Sequence, residues 1–276
     1  DNKFGTFHYL SIDLTSRLNL ALFESIIWQG SDTLVDRGID VNYLNPIIFF
    51  RPVEFSTGSA DNSLIGLALK YKLHNNLVLY GQVIIDEFLF SEVRSGRGSW
   101  RNKQGFQLGY KYFDVFGIPN LWMRGEFNYV RPFTYSHGSV EQNYAHFNQA
   151  LAHPLGANFW ESLAMFHYQH GNWSWEARFQ YALIGSDEPG NNVGADLFRS
   201  YDDRLSDFGY YVGDGVRSDL LISGMRVAYL LWPGNNLQLT GEYFFRNLDT
   251  EGVGATNTHI FTIGLSTSLS NWYQDF

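Results

Sequence analysis

The chain contains no cysteine, which excludes disulfide cross-links, thiolate metal sites, a cysteine nucleophile and a lipid-modified N-terminal cysteine. Long apolar runs are missing as well: nothing approaches the roughly 18 uninterrupted apolar residues that a membrane-crossing helix needs. Basic residues are outnumbered, 19 against 28 acidic ones, for a formal charge of -9 and a pI near 5.3. That balance lacks the clustered lysine and arginine that a phosphate backbone requires, and it excludes a nucleic-acid partner. Apolar patterns of helical period are nearly absent.

Aromatic residues are what the chain has in excess. They make up 17% of 276 residues, as 17 Tyr, 23 Phe and 8 Trp, while mean hydropathy is slightly negative at -0.21. Much apolar surface therefore coexists with much polar surface, as it does in strands whose two faces differ. Period-two alternation recurs about eleven times at strand length. The predicted strands are 4–14, 18–28, 62–73, 77–88, 104–113, 121–131, 158–169, 173–184, 218–231, 237–248 and 257–269. Each has about ten residues, enough to cross a bilayer when tilted.

The connections alternate in length. Tight turns rich in Gly, Asn and Pro fall at Thr15–Arg17, His74–Asn76, Asp114–Asn120, His170–Asn172 and Pro233–Asn236. Longer segments separate them: 29–61, 89–103, 132–157, 185–217 and 249–256. Short periplasmic turns and long extracellular loops are the habit of bacterial outer-membrane barrels, and a soluble sandwich has no reason to sort its loops this way. The facing pattern agrees. Ile65, Leu67, Leu69, Tyr71 and Leu73 alternate with Gly66, Ala68, Lys70 and Lys72, and Trp173, Trp175, Ala177, Phe179 and Tyr181 alternate with Ser174, Glu176, Arg178 and Gln180. The expected fold is all-β, a transmembrane antiparallel up-and-down β-barrel with charges lining its lumen, in one domain over residues 1–276. Aromatic residues near strand ends, Trp28, Tyr80, Trp122, Tyr129, Tyr168, Trp173, Tyr229 and Trp232, are expected in the headgroup layers. The first and last strands both run toward the periplasm, so the strand number is odd. Single-chain barrels are usually even, and the expectation is the C-terminal portion of a larger barrel, with N-terminal strands missing and any secretory signal removed.

The segment LNPIIFFRPVEF (Leu44–Phe55), with STGSADNSLIGLALKYK after it, resembles a Bacteroidetes outer-membrane family labelled gliding motility protein RemB, a group in turn likened to the capsule-assembly Wzi barrels. The resemblance continues through LYGQVIIDEF (Leu79–Phe88), GFQLGYKYFDVFG (Gly105–Gly117), YVRPFTYSH (Tyr129–His137) and YAHFNQALAHPLGANF (Tyr144–Phe159), covering roughly residues 40–205. It implies an outer-membrane location and a cell-surface role in gliding, adhesion or surface polysaccharide. The partners expected on this basis are membrane lipid and lipopolysaccharide, surface polysaccharide, and other outer-membrane or envelope proteins.

Three loops carry candidate chemistry. Segment 132–157 gathers Tyr135, His137, Tyr144, His146, Asn148 and His153, residue types that contact glycans. Its histidines lie nine and seven residues apart and match no metal-ligand spacing, so no metal is assigned to them. The competing reading is a loop packed into the barrel mouth. Segment 41–58 is apolar for an extracellular connection, and Phe49, Phe50, Arg51 and Glu54 are expected to form a mouth or plug segment. Loop 185–217 is acidic, and Asp202, Asp203 and Asp207 are candidate calcium ligands, although no EF-hand pattern is present; the default reading is a solvated loop partly neutralised by Arg199, Arg204 and Arg217. Lumen charges such as Lys70, Lys111, Glu126, Glu161, Glu176 and Arg178 read better as interdigitated ion pairs than as the paired acids of a glycosidase. No catalytic set is assigned, no other cofactor is expected, and the chain is not read as an enzyme.

Overall fold

The computed structural model describes residues 2–31, 38–45 and 61–268. Eleven long strands follow one another in a single antiparallel sheet: β1 (Lys3–Asp13), β2 (Leu18–Gln29), β3 (Asn62–His74), β4 (Leu77–Glu87), β5 (Lys103–Phe113), β6 (Leu121–Val130), β9 (Phe159–His170), β10 (Trp173–Ser186), β11 (Val216–Trp232), β12 (Leu237–Thr250) and β13 (Gly254–Ser266). Every strand pairs with its neighbour in sequence, the up-and-down order of an outer-membrane barrel. A two-residue-per-strand hairpin, β7 (Ala145–His146) with β8 (Gln149–Ala150), lies in the β6–β9 connection. The β4–β5 connection holds a six-residue helix, α1 (Phe90–Ser95). Gly96, at φ +66, ends it in the left-handed conformation that glycine adopts without steric cost.

Turn chemistry explains one end of the sheet. Between β9 and β10, His170 pairs with Trp173 and leaves Gly171 and Asn172 as a two-residue loop, with Gly171 at φ +57. Glycine at the first loop position suits the primed turn whose twist matches the flanking strands. At the other end the predicted loop 249–256 is instead a tight hairpin: β12 runs to Thr250 and β13 starts at Gly254. Polar Asn and Thr residues on both strands suggested a loop, but Asn247 pairs with Asn257 and their side chains hydrogen-bond, so ladder pairing outweighs local polarity.

The two faces of the sheet separate by chemistry. Leu67 pairs with Val83, Phe106 with Tyr129, Phe179 with Ser223 and Tyr243 with Phe261, all on one face. Leu67 is 43% exposed and Phe179 50%, values that no sandwich core would allow. The other face carries Lys70, Gln82, Glu126, Arg178 and Arg226 at the alternate positions. Rings from that inner face fill glycine notches: the Phe23 ring lies over Gly66 and the Tyr80 ring over Gly109, where any Cβ would collide. The inner face is concave, because one cavity is lined both by Phe23 of β2 and by Asn128 of β6, four strands further along the sheet.

Of the aromatics expected in headgroup layers, Tyr129, Tyr168, Trp173 and Tyr229 share the apolar face. Three do not fit that expectation. Tyr80 reaches Glu126 across the lumen, Trp122 stacks on His167 of the inner wall at 5.6 Å, and Trp28 is buried against Phe4 and Tyr43. Distance from a strand end was the only sequence cue for them. For Tyr80 and Trp122 strand parity, which sets the face, overrides it; Trp28 has the parity of outward-facing Leu22 and is instead covered by residues 38–45, its Nε1 donating to Gly38 O at 3.0 Å.

Candidate functional site

Inner-face residues of four neighbouring strands come into register as a row of side-chain amides and one acid. Gln82 pairs with Gln107, Gln107 with Asn128, and Asn128 with Glu161. Directly opposed residues of an antiparallel pair point the same way, so the row lies across the wall of the lumen. Glu161 is 1% exposed, and a buried carboxylate persists only when its oxygens are satisfied. Asn128 Nδ2 donates to Oε1 at 2.8 Å, Gln180 Nε2 donates to Oε2 at 2.9 Å, and His153 Nε2 lies 2.6 Å from Oε1. His153 Nδ1 accepts from the Leu155 amide at 3.2 Å, so the ring proton sits on Nε2 and faces the carboxylate.

His153 belongs to the β6–β9 connection, which folds back over the lumen as a plug. Several strands hold it, among them β1, β4 and β9. Lys3 of β1 donates to the carbonyls of Asn143 (2.8 Å) and Ala145 (2.9 Å); Asp86 of β4 accepts from the Tyr135 amide (3.0 Å); Glu161 of β9 holds His153. Phe133 and Tyr135 take left-handed φ values of 64° and 76°, a conformation non-glycine residues adopt only where their surroundings compensate. Compensation is visible here. Phe133 is fully buried between Trp100 and Tyr210, its amide donates to Gly194 O at 2.8 Å, and Tyr135 packs with Leu64, Val130 and Phe159.

Between plug and wall lies a cavity of about 290 Å³. Its polar lining is Gln82, Gln107, Asn128 and His153; its aromatic lining is Phe23, Phe106, Tyr135 and Tyr144. The two tyrosine rings stack at 5.8 Å. Burial raises both phenol pKa values, the Tyr135 value further with help from Tyr144 and Asp86, so both stay protonated.

Three of the six residues expected to contact glycan, Tyr135, Tyr144 and His153, thus converge on one cavity. The others do not join them. His137 packs edge-on against Tyr201 at 5.7 Å, and its Nδ1 accepts from the Ser139 amide. Burial, assisted by cationic Lys103, holds its pKa below the ordinary imidazole range. His146 and Asn148 sit exposed at the β7–β8 tip, where Phe147 and Asn148 both have positive φ. The plug segment proposed from Phe49, Phe50, Arg51 and Glu54 lies outside the described residues. Missed in the sequence were Gln82, Gln107 and Asn128. Their polar character on the inner face of alternating strands is visible, but strand register alone aligns them.

The acidic loop is laced to arginines. Asp202 lies 3.5 Å from Arg204, Asp207 2.9 Å from Arg204, and Asp203 3.7 Å from Arg199. Arg204 draws the Asp207 pKa down, and Trp100 Nε1 donates to the same carboxylate. Among the described residues no three His, Asp or Glu side chains converge as a metal site.

A meandering antiparallel sheet with an apolar outward face, an ionic inward face and a loop folded over its lumen defines a β-barrel of the outer-membrane type. No protein-family model matches the chain, and no curated protein matches it. Among solved structures it is similar to Wzi, an outer-membrane protein involved in group 1 capsule assembly in Escherichia coli and described as a carbohydrate-binding β-barrel. The TM-score is 0.51 at 14% identity, over 94% of this chain and 51% of that one. The likeness is one of fold, and the chain spans about half the length of Wzi.

Proposed function

We propose that the protein is a non-catalytic outer-membrane barrel that binds surface polysaccharide in the cavity between plug and wall. The observation that carries this reading is the lining itself: an aligned row of amides facing stacked, protonated phenols. Amides offer paired donors and acceptors to sugar hydroxyls, and aromatic faces cover the apolar faces of sugar rings. Glu161 has its oxygens engaged by Asn128, Gln180 and His153, which suits an anchor better than a general acid. The carbohydrate binding ascribed to Wzi supports the same assignment by fold analogy.

The finer role follows from the RemB-like segments, Leu44–Phe55 and Tyr144–Phe159 among them. They support placing the protein in a gliding or adhesion apparatus at the cell surface. A barrel subunit of an envelope secretion or motility complex is the alternative, and a diffusion pore is a third class that the plug disfavours.

The test is binding of the source cell's own surface polysaccharide to detergent-purified protein, with Tyr144→Ala and His153→Ala variants. Affinity is expected to fall about tenfold or more in each, the loss of one good contact being worth about 1.4 kcal/mol. Wild-type affinity in both variants would reject the cavity. Co-purification with envelope proteins and no sugar binding would favour the subunit role instead, and conductance in planar lipid the pore.

A further inference from the structure

A second row on the inner wall has a different character. Lys72 pairs with Val78, Val78 with Lys111, Lys111 with Arg124, Arg124 with Met165, and Met165 with Arg178. Shared facing at each pair puts four cations on one level of the lumen, in β3, β5, β6 and β10, with no acid among them. Arg17 extends the row past β3, since its carbonyl accepts from the Lys72 amide at 2.8 Å. Strand spacing of about 4.8 Å separates Lys72 from Lys111 by about 10 Å and Lys111 from Arg124 by about 5 Å.

Most of these charges lack a carboxylate partner, Lys111 Nζ lying 5.7 Å from the Tyr80 ring centre. Arg124 is held by Glu126. Among the described residues Arg17, Lys72, Lys111 and Arg178 have no ion pair, and all four are exposed to the lumen side. Of the carboxylates nearby, Glu126 is committed to Arg124 and Tyr80, and Glu176 and Glu242 to Arg226; Asp13, which accepts from the neutral Asn19 amide, is the one acid that lines the cavity beside Arg17, Lys70 and Lys72. Beside Lys72, Arg17 and Lys70 opens a cavity of about 580 Å³ at the end of the barrel that carries the short turns, which is the periplasmic end. One pleat from Lys111 and Arg124, Phe113 and Trp122 pair on the same inner face and offer ring surfaces. An uncompensated cation track is the reverse of the chain's balance of -9. The acids that make that balance, Asp187, Glu188, Asp196, Asp202, Asp203, Asp207 and Asp214, cluster in the β10–β11 loop at the opposite end.

We propose that this row is a second binding site, open to the periplasm, which takes a carboxylate-bearing saccharide chain. Repeated, unpaired cations along a wall read a repeated anionic ligand. Flanking aromatic rings favour a sugar backbone over a small inorganic anion, and the acidic outer loop repels such a ligand from the other side. The proposal rests on the barrel orientation and not on the cavity under the plug.

Calorimetric titration of the full chain in detergent with hexagalacturonate, a uronic acid oligomer, tests it against neutral maltohexaose of equal length. Hexagalacturonate is expected to bind and to weaken about tenfold or more as salt rises to about 0.5 M, because exposed charges are screened. Replacing Lys72, Lys111 and Arg178 together by Gln is expected to cost at least about tenfold for the acidic oligomer, each lost charge contact being worth a sizeable part of 1.4 kcal/mol. Maltohexaose titrations are expected to be identical in variant and wild type. Heat-modifiable gel migration checks that the variant has folded, and Lys72→Gln alone, with an intermediate loss expected, serves if it has not. No binding of hexagalacturonate by the wild type, or unchanged affinity in these variants, would overturn the site. Displacement by inorganic phosphate at equal charge concentration would overturn the saccharide assignment. Retained acidic binding in Tyr144→Ala separates this site from the plug cavity.

Discussion

His153 and Glu161 meet at 2.6 Å, joining the plug to the barrel wall between residues eight positions apart in the chain. Glu161 lies on β9, just past the end of the loop that carries His153, so the contact closes that loop on its own strand. Asn128 and Gln180 complete the coordination of the carboxylate from the neighbouring strands on either side. One buried acid thus fixes two wall amides and the plug at once.

Removing that acid should loosen all three. Glu161→Ala leaves two amides and an imidazole without an acceptor, each costing roughly 1–3 kcal/mol when buried. Glu161→Gln keeps one oxygen and is expected to be milder. Urea unfolding from lipid vesicles measures both, and equal midpoints for wild type and Glu161→Ala would show that the carboxylate anchors nothing.

Acid should release the plug through His137. Its folded pKa is lowered by burial and by Lys103, so the unfolded loop binds a proton first as pH falls. The stabilisation is therefore complete above the free imidazole pKa of about 6.5 and is lost as pH drops below it toward the folded value. Protonation also removes the Nδ1 acceptor of the Ser139 amide. Amide protection factors across residues 133–144, taken against the intrinsic exchange rate at each pH, are expected to fall between about pH 7.5 and pH 5. His137→Gln should flatten that dependence, and a wild-type pH profile in the variant would assign the effect elsewhere.

Neighbouring residues on β3 should differ sharply in their tolerance of charge. Leu67 faces outward at mid-strand and Ala68 faces the lumen beside Gln82. Leu67→Arg is expected to cost roughly 2–4 kcal/mol of folding free energy in vesicles, the depth-dependent cost of a cation in hydrocarbon, and Ala68→Arg far less. Equal costs would contradict the assignment of the outer face.

The strands were legible because period two is a local property. Residues 62–73 and 173–184 alternate so clearly that the predicted spans fall within a few residues of β3 and β10. The turns were legible for the same reason: Gly171 and Pro233 declare their backbone geometry without help from distant chain. Tyr144 and His153 stood out by residue type. What drew them together with Phe23 and Asn128, and sent His146 to an exposed tip, is the path of the loop across the lumen. Anchors from β1 and β4, far from it in sequence, and Glu161 of β9, just beyond its end, set that path. Trp122 and Tyr80 show the converse limit: an aromatic near a strand end reads as a belt residue until parity assigns it to the inner face.

The sequence by itself determined the all-β meander, its alternation of short and long connections and its two-faced strands, because these depend on residues a few positions apart. The tertiary structure alone decided which inner-face residues stand level with one another. A slip of one residue between any two strands would exchange their faces, and a slip of two would break both the amide row and the cation row without altering any strand's own pattern.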